Sequence, residues 1–153
     1  MSHRIARRAV IAGWCAFALL TAMAGAAAAQ SRPAVGAIRV DVAPLRANAG
    51  DPTAAWVGEE LPRRIAQALS GRVTPKGATL IVRIDALTLG PNKDGGAWDN
   101  ISGVVTVGGV ERPVRATSRY LASAIDPATI AQSNHLRVSA AAEALAFWIA
   151  RDF

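Results

Sequence analysis

The chain has 153 residues, a formal net charge of +6 and one cysteine, Cys15. This length fits one globular domain, and a lone cysteine excludes a fold held together by disulfides within the chain. Apart from three arginines within the first eight positions, 14 basic residues stand against 11 acidic ones, an excess too small for the clustered basic surface of a nucleic-acid-binding protein.

Residues 1–29 have the layout of a cleavable secretory signal peptide. Three arginines within the first eight residues precede an apolar run over 9–26, which leads into three consecutive alanines. Export and signal peptidase require this order of basic region, apolar region and small residues. We therefore expect cleavage between Ala29 and Gln30, and a periplasmic or secreted protein that meets the membrane only during export.

The other interpretations of the leader fit less well. An uncleaved membrane anchor would also use residues 9–29, but alanine dominates this stretch and contributes little insertion energy. Lipidation of Cys15 requires a small preceding residue, and Trp14 stands there. Arg7-Arg8 is compatible with twin-arginine as well as general export, and the sequence does not separate the two. Without its leader the chain has no cysteine, and 14 basic against 11 acidic residues remain.

A flexible lead-in over 30–34 and a single domain over 35–153 are expected next. The domain opens with Ile38, Val40 and Val42, which alternate with polar residues. An alternation of period two predicts a strand with one apolar face. We expect Pro44 to end this strand and a turn-rich stretch to follow it.

A helix is predicted over 51–70. Asp51 is expected to cap its free amides and Pro52 to occupy its first turn. Apolar residues recur at three- and four-residue steps up to Gly71, the expected C-terminal cap. Pro62 lies inside the pattern and predicts a kink, with two shorter helices as the alternative.

Three strands are predicted after this helix. The stretch 78–89 carries apolar residues on both faces, with Leu87 assigned to the same face as Ile81, which is typical of a central strand. Gly108-Gly109 predicts a two-residue hairpin turn between strands over 98–107 and 110–121. The resulting register pairs Ile101 with Ala116 on a buried face, and Trp98 with Arg119 on a wetter face. Pro113 predicts that the last strand lies at an edge or carries a bulge at that position.

The C-terminal region is predicted to be helical. Asp126-Pro127 favours a short turn through Gln132, and Ser133-Asn134 offers caps for a longer helix that ends near Arg151. Its expected buried stripe includes Val138, Ala141, Leu145 and Trp148.

These elements predict a single α+β domain of order β-α-β-β-β-α. We expect a four-stranded, mainly antiparallel sheet with two helices packed on one face. This order, with the export segment, resembles the small α+β domains of bacterial envelope lipoproteins of the lipopolysaccharide-assembly type, over Val35 to Arg151. The resemblance includes no sequence motif, and the chain departs from those proteins in lacking a lipobox cysteine. No functional residue is therefore carried over from them.

The sequence contains no catalytic or cofactor fingerprint, so we expect no enzyme activity, no cofactor and no metal site. A small secreted hydrolase is the alternative. It would use His135 with Asp85 and Asp99, two carboxylates that could meet across adjacent strands. Ion pairing with an arginine such as Arg83 or Arg115 explains Asp85 better than catalysis does. Oxygen-bearing side chains between 92 and 100 also suggest calcium, but their spacing does not match a calcium loop.

The wetter hairpin face is the candidate binding surface. Trp98, Arg115 and Arg119 are predicted to lie there, with Arg83 nearby on the preceding strand. Tryptophan and arginine are enriched in binding hot spots, although arginine stems packed on an exposed ring would explain the same grouping. We expect a non-enzymatic binding or envelope-assembly module whose partner is an envelope protein or an anionic envelope glycolipid. The oligomeric state does not follow from the sequence.

Overall fold

Four strands and three helices build the part of the chain that the computed structural model describes, residues 32–91, 97–120 and 129–153. In chain order they are β1 (Val35–Asp41), α1 (Ala43–Ala49), α2 (Asp51–Ala68), β2 (Ala78–Leu89), β3 (Ala97–Val107), β4 (Val110–Tyr120) and α3 (Ile130–Asp152). These elements belong to one unit, Arg32–Phe153. The predicted leader with its cut at Ala29 and Gln30, and the predicted turn at Asp126-Pro127, lie outside the described residues.

The four strands form one sheet in the order β1-β2-β3-β4. β1 pairs with β2 in parallel, and the other two pairings are antiparallel. Parallel neighbours need a long crossover, which α1 and α2 provide. The structure confirms the α+β class, the mainly antiparallel sheet and the interior position of β2.

Helix α1 corrects the sequence prediction, which placed a turn-rich stretch after Pro44. Proline lies in the first turn of α1, where its missing N–H costs no hydrogen bond. The Asp41 carboxylate accepts a hydrogen bond from the free backbone N–H of Ala43 at 2.9 Å. Leu45 is completely buried, so the short helix is held by core packing as well as by its start signals.

Helix α2 continues through Pro62 without a break, so the alternative of two shorter helices is wrong. Asp51 does not cap it. Gly50 is the N-cap residue, and Asp51 instead forms an ion pair with Arg46 at 2.7 Å. The helix ends at Ala68, two residues before its predicted end.

The β3–β4 hairpin has the predicted register throughout, from the pairing of Val107 with Val110 to that of Trp98 with Arg119. Gly108 and Gly109 in its turn have φ values of 58° and 82°. β4 lies at the edge of the sheet, as Pro113 predicted.

The left-handed conformation of Gly108 makes the turn sensitive to substitution. A β-branched side chain at positive φ is strained by about 1–2 kcal/mol, whereas asparagine tolerates this region. We therefore expect Gly108→Val to lower the free energy of unfolding by about that amount, and Gly108→Asn to leave it nearly unchanged. Urea titrations of both variants measure the difference. Equal losses would contradict the assigned turn.

A bulge in β2 corrects the predicted faces of its second half. The register with β3 shifts between Ile84 and Ala86, so Leu87 joins the core and Ala86 faces the other side, the reverse of the sequence prediction. A bulge adds one unpaired residue and thereby breaks the alternation. The carbonyl of Asp85, in the bulge, accepts a hydrogen bond from the Asn48 side chain at 3.2 Å.

Helix α3 begins three residues earlier than the predicted cap at Ser133, with Thr129 as its N-cap residue. Ser133 is buried inside the helix. Trp148, predicted to lie on the buried stripe, is only half-buried, and the guanidinium of Arg151 stacks over its ring at 3.5 Å.

The hydrophobic core is one cluster between the sheet and the helices. Core side chains from the sheet share one face, and the buried stripes of α2 and α3 cover it. The largest of them include Leu61, Ile65, Leu80, Ile84, Ile101, Leu145 and Ile149. Within the described ranges, no helix is both long and apolar enough to cross a membrane.

Candidate functional site

The sheet face that points away from the helices is the candidate binding surface, and it is called the open face below. Because side chains alternate along a strand, the register assigns ten hairpin residues to this face. They are Trp98, Asn100, Ser102, Val104 and Thr106 on β3, and Glu111, Pro113, Arg115, Thr117 and Arg119 on β4.

Trp98 is the most prominent apolar side chain of the open face, with 60% of its surface exposed. It lies directly opposite Arg119 in the ladder, and the guanidinium carbon of Arg119 stands 5.6 Å from the centre of the indole ring. A cation above a tryptophan face is attracted by the ring quadrupole. The pair therefore presents a flat apolar surface beside a positive charge.

Polar side chains continue the surface beside this pair. Asn100 Oδ1 accepts hydrogen bonds from Arg115 at 3.2 Å and from the Thr117 hydroxyl at 2.9 Å. The amide oxygen is thus used within the protein, while the Asn100 amide and the guanidinium keep further donors. Among the described residues, neither Arg115 nor Arg119 forms an ion pair. This end of the open face offers mainly hydrogen-bond donors and positive charge.

Arg83 lies on the same face but in a different electrostatic setting. It pairs with Val104 across the β2–β3 ladder, further along the sheet than Trp98. Its Nε donates to Asp85 Oδ1 at 2.9 Å. This hydrogen bond, with the charge of Asp85, raises the pKa of Arg83 above its usual value. The arginine is paired with a carboxylate, as the sequence allowed, so its positive charge is balanced locally by Asp85.

The three residues of the hydrolase alternative have separate partners. Asp85 pairs with Arg83, and Asp99 is fully buried in an ion pair with Arg137. His135 stacks on Trp56 with 5.0 Å between the ring centres. The two carboxylates do not meet across the strands, because Asp99 lies opposite Leu89, four positions from Asp85.

The described residues contain no group of three or more His, Cys, Asp or Glu side chains that could hold a metal ion. Two of the oxygen-bearing residues weighed for calcium, Asn92 and Asp94, lie outside the described ranges. A third, Asp99, is already engaged by Arg137.

The pair between Asp99 and Arg137 was not anticipated from the sequence. Arg137 Nε donates to Asp99 Oδ2 at 3.0 Å, and its Nη2 donates to Oδ1. Gly90 makes a hydrogen bond with each member of the pair. Its N–H donates to Asp99 at 3.0 Å, and its carbonyl oxygen accepts a hydrogen bond from Arg137 at 2.5 Å. Only 7% of Arg137 is exposed. A buried charge pair with this many hydrogen bonds satisfies both ions.

Comparison with known proteins gives a structural likeness at low sequence identity. No family model matches the chain, and no curated protein does. The chain is similar to the 2.35 Å crystal structure of a minor lipoprotein from Acinetobacter baumannii, with a TM-score of 0.40 and 12% sequence identity. The match covers 79% of this chain and 90% of that one.

Proposed function

We propose that this protein is a non-enzymatic binding module of the bacterial cell envelope, acting after export in the periplasm or outside the cell, and that it binds through the Trp98 end of its open face. The observation that carries the proposal is the exposed Trp98 ring beside Arg119. An aromatic ring next to an unpaired guanidinium is a common anchor in binding surfaces.

The chemistry of the surface favours an anionic partner. Arg115 and Arg119 have no acidic partner among the described residues, and Asn100 already uses its side-chain oxygen to accept internal bonds. A ligand that supplies oxygen acceptors and negative charge would complement these donors, and a flat apolar part would cover the indole. Of the two partners that the sequence suggested, an anionic envelope glycolipid fits this combination better than an envelope protein.

The test compares binding to vesicles that contain purified lipopolysaccharide with binding to vesicles of neutral phospholipid. We expect the wild-type protein to prefer the anionic vesicles, and Trp98→Ala/Arg119→Ala to lose that preference. Phe147→Ala is the matched control, because Phe147 is an equally exposed aromatic residue (61%) on α3 rather than on the sheet. Its binding should equal that of wild type.

Two outcomes would overturn the proposal. Unchanged binding by the Trp98→Ala/Arg119→Ala variant would remove the open face from the interaction. The second outcome is that the wild-type protein shows no preference for anionic vesicles and instead captures an envelope protein through Trp98. The proposed surface would then be right and the proposed ligand wrong. Vesicle flotation measures the first outcome, and pull-down from an envelope extract measures the second.

A further inference from the structure

The two residues of the Trp98–Arg119 pair are each followed in the chain by a residue that points to the opposite side of the sheet. Asp99 follows Trp98, and Tyr120 follows Arg119. Because neighbouring side chains on a strand point to opposite faces, holding Asp99 and Tyr120 from the core side fixes the backbone that carries the binding pair.

The first connection runs through Asp99. Its carboxylate is fully buried and binds Arg137 through both oxygens. The same carboxylate accepts the N–H of Gly90, and Arg137 donates to the Gly90 carbonyl. Gly90 lies so close to Trp98 that a Cβ there would overlap the Trp98 carbonyl oxygen. Arg137, Asp99 and Gly90 thus form one hydrogen-bonded cluster, and its Gly90 member packs directly against the backbone of Trp98.

The second connection runs through Tyr120. The guanidinium carbon of Arg137 stands 6.0 Å from the centre of the Tyr120 ring. The Tyr120 hydroxyl is 3.5 Å from the hydroxyl of Ser133, one turn earlier on α3. One helix side chain therefore contacts the neighbour of Trp98 and the neighbour of Arg119 at the same time.

We propose that Arg137 is the positioning residue of the candidate binding surface. It lies on the opposite, core side of the sheet and acts on that surface through other residues. It aligns the Trp98 ring with Arg119 by fixing Asp99 and Tyr120, and it touches neither the ring nor a ligand. The consequence for affinity rests on the proposed function, whereas the consequence for the orientation of Trp98 does not.

The orientation is tested by ¹⁹F NMR on the full chain labelled with 5-fluorotryptophan, with the Trp98 signal assigned by its loss in Trp98→Phe. We expect Arg137→Met to broaden or split this signal, because the ring no longer has one preferred position. Arg137→Lys keeps the charge but lacks the planar fork that binds two acceptors, so it should give a smaller effect, and it serves as the test if the methionine variant does not fold.

Val105→Ala is the control for general loss of stability. Val105 is a buried residue on the same strand, towards the hairpin turn. Its replacement should destabilise the domain and leave the Trp98 signal unchanged. A Trp98 signal that is the same in Arg137→Met, Arg137→Lys and wild type would overturn the proposal, as would an equal disturbance in Val105→Ala.

Vesicle binding then separates the two proposals. We expect Arg137→Met to weaken binding to the lipopolysaccharide vesicles by about fivefold to tenfold, since an unfixed side chain must be ordered on binding. Wild-type protein that does not bind the vesicles would contradict the proposed function, while the NMR result would still decide the role of Arg137. Binding that stays at wild-type strength despite a disturbed Trp98 signal would contradict the positioning of the site by Arg137.

Discussion

Asp99→Ala is expected to lower the free energy of unfolding by about 3–5 kcal/mol, because removal of one partner leaves the other charge buried and uncompensated. Arg137 is almost completely buried, so water cannot replace the lost carboxylate as the partner of its guanidinium. A domain typically has about 5–15 kcal/mol of stability in total, and the variant should therefore be marginal. Chemical denaturation monitored by circular dichroism measures the loss.

The double variant Asp99→Leu/Arg137→Met provides the control. Replacing both ions of a buried pair by apolar side chains of similar size is often far less costly than removing one of them. We expect the double variant to be more stable than Asp99→Ala. A loss below about 1 kcal/mol for Asp99→Ala itself would fit the cost of an exposed ion pair and would contradict the burial of this pair.

Leu145→Ala is expected to cost about 2–5 kcal/mol, the range for truncation of a fully buried leucine. Leu145 is completely buried, whereas Leu136 on the same helix is 54% exposed. Leu136→Ala makes the same chemical change and alters helix propensity equally, yet it should stay within about 0.5 kcal/mol of wild type. Parallel urea titrations of the two variants give the comparison.

Equal losses of stability in the two leucine variants would contradict the orientation of α3 on the sheet.

Replacement of Trp148 tests this packing less directly than the sequence suggested. The ring is half-buried and its outer side is covered by Arg151, so part of its contact surface is with a neighbour on the same helix. The leucine pair is the cleaner probe.

The hairpin could be predicted residue by residue because its signals are local. The glycine pair sets the turn, the turn sets the register, and period two then assigns every side chain to a face. The placement of Trp98 opposite Arg119 on an exposed face followed from these three steps. That they bind a partner remains a prediction.

Two features of the fold could not be predicted because tertiary contacts decide them. The seven residues of α1 carry few helix signals of their own, and a helix this short is unstable without packing; the burial of Leu45 supplies that packing. The bulge at Asp85 leaves no mark on an alternating pattern, so Leu87 was assigned to the wrong face.

The pair of Asp99 with Arg137 did leave a signal in the sequence. In the predicted register Asp99 shares the buried face of Ile101, and a carboxylate there needs a cationic partner. Arg137 stands four residues before Ala141 on the predicted stripe of the last helix. An arginine beside a buried helix stripe is the sequence signal for such a partner.

The parallel pairing of β1 with β2 has a consequence for how the chain folds. β2, β3 and β4 are joined by direct antiparallel connections, whereas β1 reaches its neighbour only after the crossover from Val42 to Gly77. Closing a long loop costs entropy before its contacts form. We therefore expect the three-stranded meander to form early and β1 to join last. A chain that has not finished folding would thus expose the edge of β2 for a time, a transient template on which two unfinished copies could pair.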